Sequence, residues 1–322
     1  MPAFIDMESP AEKAIRDGFG DGLLLLGKTN PDVVALSCDL SESTRNQEFA
    51  KAYPDRFVEA GVAEQNMIGL AAGLAHEGKI PFCSSYAVFS PGRSWDQIRV
   101  SVCYSDNNVK IAGHHAGLSA AADGATHQAL EDIAMMRVLP NMTVLAPCDA
   151  MEARKAVLAA AKLRGPVYIR LMREKTPVFT TESAPFGIGQ AQVYRKGSDL
   201  TIGAIGPQVY YALKAAERLS AEGIEAEVIN FASLKPLDTE TLFKSAAKTR
   251  RIVTAEEHQL SGGLGSAIAE ALCQKIPTVQ EFVAMKGRFG ESGDYGELQH
   301  KWELDAEAIF RAAKKILKRK II

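Results

Sequence analysis

The amino-acid sequence predicts an α/β protein of two three-layer domains, each a mostly parallel sheet flanked by helices. Two observations carry this expectation. Short apolar runs rich in β-formers alternate with stretches of helical periodicity along almost the whole chain, the pattern of strands covered by helices. At 174–190 the alternation fails in "EKTPVFTTESAPFGIGQ", where Pro, Thr, Ser and Gly gather as in a linker, and it resumes afterwards. The chain has 322 residues, enough for two substantial cores, and a boundary close to residue 185 divides it into 1–185 and 186–322.

In the first half a helical stretch at about 9–27 leads into the strand "VVALSC". A helix is expected from Ala63 to Glu77, because apolar residues recur at helical spacing and Gly78 supplies a stop. The strand "IPFCSSYAVF", a helix over 92–104, the strand "VKIAGHH" and a helix over 128–138 follow. The strand "MTVLAP", a helix over 149–163 and the strand "VYIRLM" complete that half. In the second half "LTIGAIG", "EAEVINF", "RIVTAEE" and "TVQEFVAM" read as further strands, and no internal repeat is visible.

Bulk properties narrow the function. A net charge of −2 argues against nucleic acid as the main partner, and the basic "KKILKRK" reads as a solvated last helical turn. Five scattered cysteines without a CxxC pair fit reduced thiols in a cytoplasm better than disulfides or a zinc site. "MPAFIDMESP" is acidic and broken by prolines, unlike a signal peptide, and "LLLL" at 23–26 is too short to cross a bilayer.

"GVAEQNMIG" (61–69) places one carboxylate, Glu64, in the first turn of a predicted helix. Locally this is an acid favouring the positive end of the helix dipole. Gly69 and Gly73, four apart on one face, each cost about 1 kcal/mol relative to Ala in a helix. They therefore predict a helix that another backbone approaches closely. Glu64 would stand at the foot of that tightly packed helix, where poor hydration favours the protonated carboxyl.

Ligands of open parallel sheets bind beyond the carboxyl ends of the strands. Asp39 follows "VVALSC", Phe89 closes "YAVF", His114 and His115 close "KIAGHH", and Arg173 follows "VYIRLM". His114, His115 and His127 fall around the loop "GHHAGLSAAADGATHQ", which has too few bulky apolar residues to need burial. As metal ligands, His114, His115, Asp123 and His127 match no zinc spacing, and partner-satisfied histidines are the plainer reading. "GGLGSAIAEAL" (262–272) lacks the full GxGxxG and reads as a tight helix start. "GDG" at 20–22 lies between the amphipathic "EKAIRDGF" and "LLLLG", mid-helix rather than at a strand end.

These segments, in this order and over nearly the whole chain, resemble the C-terminal half of transketolases. "DRFVEAGVAEQNMIGLAAGLA" is similar to the segment carrying the family's catalytic glutamate. "FCSSYAVFSPGRSWDQIR" is similar to the strand and helix that hold the aminopyrimidine ring. "HHAGLSAAADGATHQALEDIAMMRVLPNMTV" resembles the substrate loop, while "EEHQLSGGLGSAIAE" and "FGESG" resemble the C-terminal transketolase domain.

The resemblance implies thiamine diphosphate as cofactor. It gives Glu64 the task of hydrogen-bonding N1′ of the aminopyrimidine, favouring the imino tautomer whose nitrogen takes the thiazolium proton. Phe89 would stack on the pyrimidine ring with Tyr86 beside it, and Arg93 joins them as cofactor-binding. Arg16, Ser43, Arg173 and His115 match positions that hold the substrate phosphate, a task suited to fork-shaped guanidinium groups. Asp123 and His127 match binders of substrate hydroxyls, with His127 placed for proton transfer. Asp39 matches an acid near cofactor and sugar. Glu64, His115 and His127 form the implied catalytic set, and no metal ligand is expected in this chain.

Two departures from the family bear on function. Many members read "EDGPTHQ" where this chain has "ADGATHQ", so Ala122 and Ala125 alter the substrate loop. A full-length transketolase also has an N-terminal domain that binds diphosphate and magnesium, and nothing in this sequence replaces it. The resemblance thus implies the C-terminal subunit of a split, cytoplasmic transketolase, assembled as α2β2 with an N-terminal subunit that carries the GDG motif and holds Mg2+. The implied reaction moves a two-carbon ketol unit from a ketose phosphate to an aldose phosphate in the pentose phosphate pathway. Alternatives are a 1-deoxy-D-xylulose-5-phosphate synthase-like subunit, a 2-oxo-acid dehydrogenase beta subunit and a non-catalytic regulatory or scaffold subunit. "GATHQALEDIAMMR" and the phosphate set favour transketolase over the dehydrogenase, and a silent chain has no chemical need for Glu64, Phe89, His115 and His127.

Overall fold

The computed structural model describes residues 2–320. Its first sheet has seven strands in the order Ser233–Lys235, Thr143–Leu145, Val167–Arg170, Lys110–His114, Ile80–Tyr86, Val33–Ser37 and Phe57–Glu59. All neighbours are parallel except Ser233–Lys235, which comes from the second half of the chain and adds antiparallel to the edge. Val33–Ser37, Lys110–His114 and Val167–Arg170 are buried at every position, as parallel strands covered on both faces must be. Lys110 tolerates that burial because its ammonium donates to Asn108 Oδ1 and to the carbonyls of Leu163 and Gly165, each at 2.7 Å. Burial still pushes its pKa down to about 7.

The second sheet runs Val279–Met285, Arg251–Gln259, Leu200–Ala204, Ala226–Asn230 and Gln192–Arg195, with only the last strand antiparallel. Phe231, Ile252, Leu264 and Ile268 from this half share an apolar cluster with Met67, Ile98 and Ile133 from the first. The two α/β layers therefore meet through a common core.

Several expectations change. The helix predicted from residue 9 starts at Ile15 and runs to Thr29, and Ala11–Ala14 is a strand paired antiparallel with Lys175–Val178. The stretch read as a linker thus opens with a strand whose partner lies far away in sequence. The strand "YAVF" ends at Tyr86, and Phe89 sits in the turn beyond it. The helix over 128–138 contracts to Asp132–Arg137, and the one over 92–104 begins at Trp95 with π pitch over Ile98–Tyr104.

The glycines exchange roles. GDG does lie mid-helix, and its helix packs against Ala150–Lys162 with almost no clearance. A Cβ on Gly18 would stand 1.9 Å from the Ala150 carbonyl oxygen, and one on Gly22 3.0 Å from Val157 Cβ. One on Gly20 would meet Arg45 Cβ at 2.8 Å. Gly69 and Gly73, where close approach was expected, are exposed and have no atom within 4 Å of such a Cβ. The backbone contact expected there is not made among the described residues.

Candidate active site

Register sets the site. Tyr86 pairs with His114 and Gly113 with Arg170, so three strands end level and open on one edge. Glu64 begins the helix Glu64–His76 beside that edge and is 2% exposed. Its carboxylate does not cap its own helix: Oε1 accepts from Ser85 Oγ at 3.3 Å, and Oε2 from Arg93 Nη1 at 2.9 Å. Arg93, half-exposed, also lies over the Phe89 ring, 4.9 Å from its centroid. Phe89 stacks on Tyr86 at 6.0 Å with 11° between planes, and His127 meets Phe89 edge-on at 5.4 Å.

Tyr86 joins this aromatic group to a basin lined by arginines. Its ring contacts His115 at 3.9 Å, and its hydroxyl hydrogen-bonds Ser43 Oγ at 2.9 Å. Arg16 Nη1 donates to the Ser43 carbonyl at 2.8 Å and to His115 Nε2 at 2.7 Å. Because arginine only donates, Nε2 is the acceptor, and the hydrogen of this ring sits on Nδ1. Burial, then the neighbouring His114 and arginines, push the His115 pKa down to about 2, so the imidazole is neutral. Burial, with Arg45 next, likewise lowers Arg16.

The basin itself has a volume of about 510 Å³ and is lined by Arg16, Arg45 and Arg173, with Asp39, Glu42 and Ser43. Asp17 holds Arg45 at 2.6 Å, which offsets part of the mutual repulsion of the arginines. Asp39 is exposed, with a positive φ that presents it at the rim. Arg173 reaches Asp123 Oδ2 at 2.8 Å, which ties the histidine loop to the basin. His127 Nδ1 pairs with Thr126 Oγ1 at 2.9 Å.

Every residue to which the resemblance gives a site role thus belongs to one connected set of contacts, running from Glu64 through Arg93, Phe89 and Tyr86 to the basin. His114 does not: it ends its strand buried edge-on to Phe19 at 4.9 Å. Among the described residues no group of three or more His, Cys, Asp or Glu could hold a metal ion. Ser85 and Arg45 were not anticipated. Ser85 is two residues from Cys83 in an apolar run, and Arg45 owes its position to a positive φ that no residue type announces.

The transketolase pyrimidine-binding domain model matches residues 11–178, and the transketolase C-terminal domain model matches 189–309. A chain described as a transketolase C-terminal section in Methanocaldococcus jannaschii is 44% identical over 95% of this chain and 96% of its own. A 6-deoxy-6-sulfo-D-fructose transketolase subunit from a Clostridium strain is 42% identical over 96% of each. Among solved structures, a chain described as a split gene transketolase, inactive beta4 tetramer, is similar with TM-score 0.89 and 48% identity, over 94% of this chain and 98% of its own. With two family models filling most of its length, the chain belongs to the transketolase family.

Proposed function

We propose that this chain is the C-terminal subunit of a split transketolase that transfers a two-carbon ketol unit from a ketose phosphate to an aldose phosphate. The observation that supports it best is the continuous surface joining a buried carboxylate and an aromatic stack to an arginine basin. One end suits a flat heteroaromatic ring and the other a sugar carrying an anion. The residues fit the ring end of thiamine diphosphate: Glu64 would hold the ring edge, and Phe89 and Tyr86, with Arg93 beside them, would hold its face. Bound there, the cofactor supplies carbanion chemistry, while this chain orients it and sets the Glu64 carboxyl, held by Ser85 and Arg93, at the ring edge.

Arg16, Arg173, Ser43 and neutral His115 bind the substrate phosphate with Arg45 beside them, and three guanidinium groups suit a dianion. Asp39, Asp123 and His127 take the sugar hydroxyls, His127 also moving a proton. The diphosphate and its Mg2+ belong to a separate N-terminal subunit. In this chain GDG is spent on helix packing, and Asp21 pairs with Lys13 at 2.5 Å. Two copies of each subunit assemble in the cytoplasm.

Glu64→Gln tests the reading. In the two-subunit complex the variant assembles normally and loses ketol transfer by about 10²-fold or more, the scale of a positioned proton-transfer group. Normal turnover removes Glu64 from its role.

A further inference from the structure

The second domain reaches the histidine loop through the buried Glu257. The loop is closed at its base, where the Gly117 N–H donates to the Ala129 carbonyl at 2.7 Å. Two non-glycine residues in it hold positive φ, His115 at 53° and Ala121 at 47°. Such backbone persists only where its surroundings over-determine it. Between the two lies Leu118, whose N–H donates to Glu257 Oε1 at 2.6 Å. Glu257 stands on strand Arg251–Gln259 of the second sheet and is 1% exposed. Its other oxygen accepts from Tyr295 Oη at 2.7 Å and Gln299 Nε2 at 3.0 Å.

The same residue holds the far end of the loop. Its carbonyl accepts from Arg170 Nη2 at 2.8 Å, and that nitrogen also reaches the Ala129 carbonyl at 3.3 Å. Space is cleared for the clamp, since a Cβ on Gly117, whose φ is +66°, would stand 2.3 Å from Glu257 Oε1. A second tie from the same domain runs from Gln128 Nε2 to the Glu291 carbonyl at 2.9 Å.

We propose that Glu257 is a positioning residue for ketol transfer, acting through Leu118 to fix the loop that presents His115, Asp123 and His127 to the sugar. This is the second domain's contribution to the site, and it rests on the reading of that loop as substrate-facing.

The test is Glu257→Gln, which turns one acceptor oxygen into a donor facing donors. In the two-subunit complex, amide hydrogen exchange over residues 117–124 should rise at least tenfold and KM for the sugar phosphates at least tenfold. Thiamine diphosphate affinity should stay within twofold, because Glu64 and Phe89 are held by other elements. Glu257→Asp should recover part of both effects. Unchanged exchange overturns the clamp, and faster exchange with wild-type kinetics per folded complex overturns the role in substrate geometry. Should Glu257→Gln not fold, Glu257→Asp must show smaller changes in both quantities, and wild-type behaviour in it overturns the proposal. A wild-type complex without ketol transfer instead removes the functional reading, while the exchange measurement still decides the clamp.

Discussion

Replacing one glycine by alanine should damage this protein at Gly18 and strengthen it at Gly69. Gly18 is buried where helix Ile15–Thr29 crosses helix Ala150–Lys162. A Cβ there stands 1.9 Å from the Ala150 carbonyl oxygen and 2.7 Å from its carbon, both main-chain atoms. The oxygen contact is about 1.4 Å inside an ordinary C···O separation of about 3.3 Å. No rotamer relieves it, so the helices must part. Overpacking costs about 1–3 kcal/mol, and a main-chain collision belongs at the upper end. The better helix propensity of Ala offsets about 1 kcal/mol, leaving a net loss of roughly 2 kcal/mol. Gly69 is exposed with no atom within 4 Å, so there the same change contributes about 1 kcal/mol of stability. Parting the helices also moves Arg16, two residues before Gly18, away from Ser43 and His115. Urea unfolding of the isolated chain followed by far-UV circular dichroism reads both effects as opposite shifts in midpoint at equal slope. A Gly18→Ala midpoint at or above wild type, or a Gly69→Ala midpoint below it, refutes the packing argument.

Two further outcomes are expected. Arg173→Ala raises KM about tenfold or more for phosphorylated sugars and little for unphosphorylated analogues; an equal effect on both classes argues against a phosphate contact. His115 is neutral in the fold down to about pH 2, whereas an unfolded histidine titrates near 6.5, so its contribution to stability is full above 6.5 and is lost as pH falls below it. At about 1.4 kcal/mol per pH unit, wild type should lose roughly 2 kcal/mol relative to His115→Asn between pH 7.5 and 5. A gap between the two midpoints that ignores pH contradicts that account.

The α/β architecture was legible because strands buried on both faces leave continuous apolar runs, as in "VVALS" and "VYIR". Ser233–Lys235 and Ala11–Ala14 were not, because three or four residues carry no period and their partners lie far along the chain. Glu64, Phe89 and the histidines were visible as chemistry-bearing groups at strand ends or at the start of a helix. Ser85, Arg45 and Glu257 join the site only through tertiary contact, which local pattern does not encode. Glycine spacing showed that a helix could accept a close neighbour. It did not show that, among the described residues, the neighbour is present for Ile15–Thr29 and absent at the glycines of Glu64–His76.

The most direct measurement is ketol transfer between sugar phosphates by the purified chain, with thiamine diphosphate and Mg2+, before and after adding an N-terminal transketolase subunit. The account predicts no turnover from the chain alone and turnover at a fixed subunit ratio after addition. Full activity from the chain by itself contradicts it.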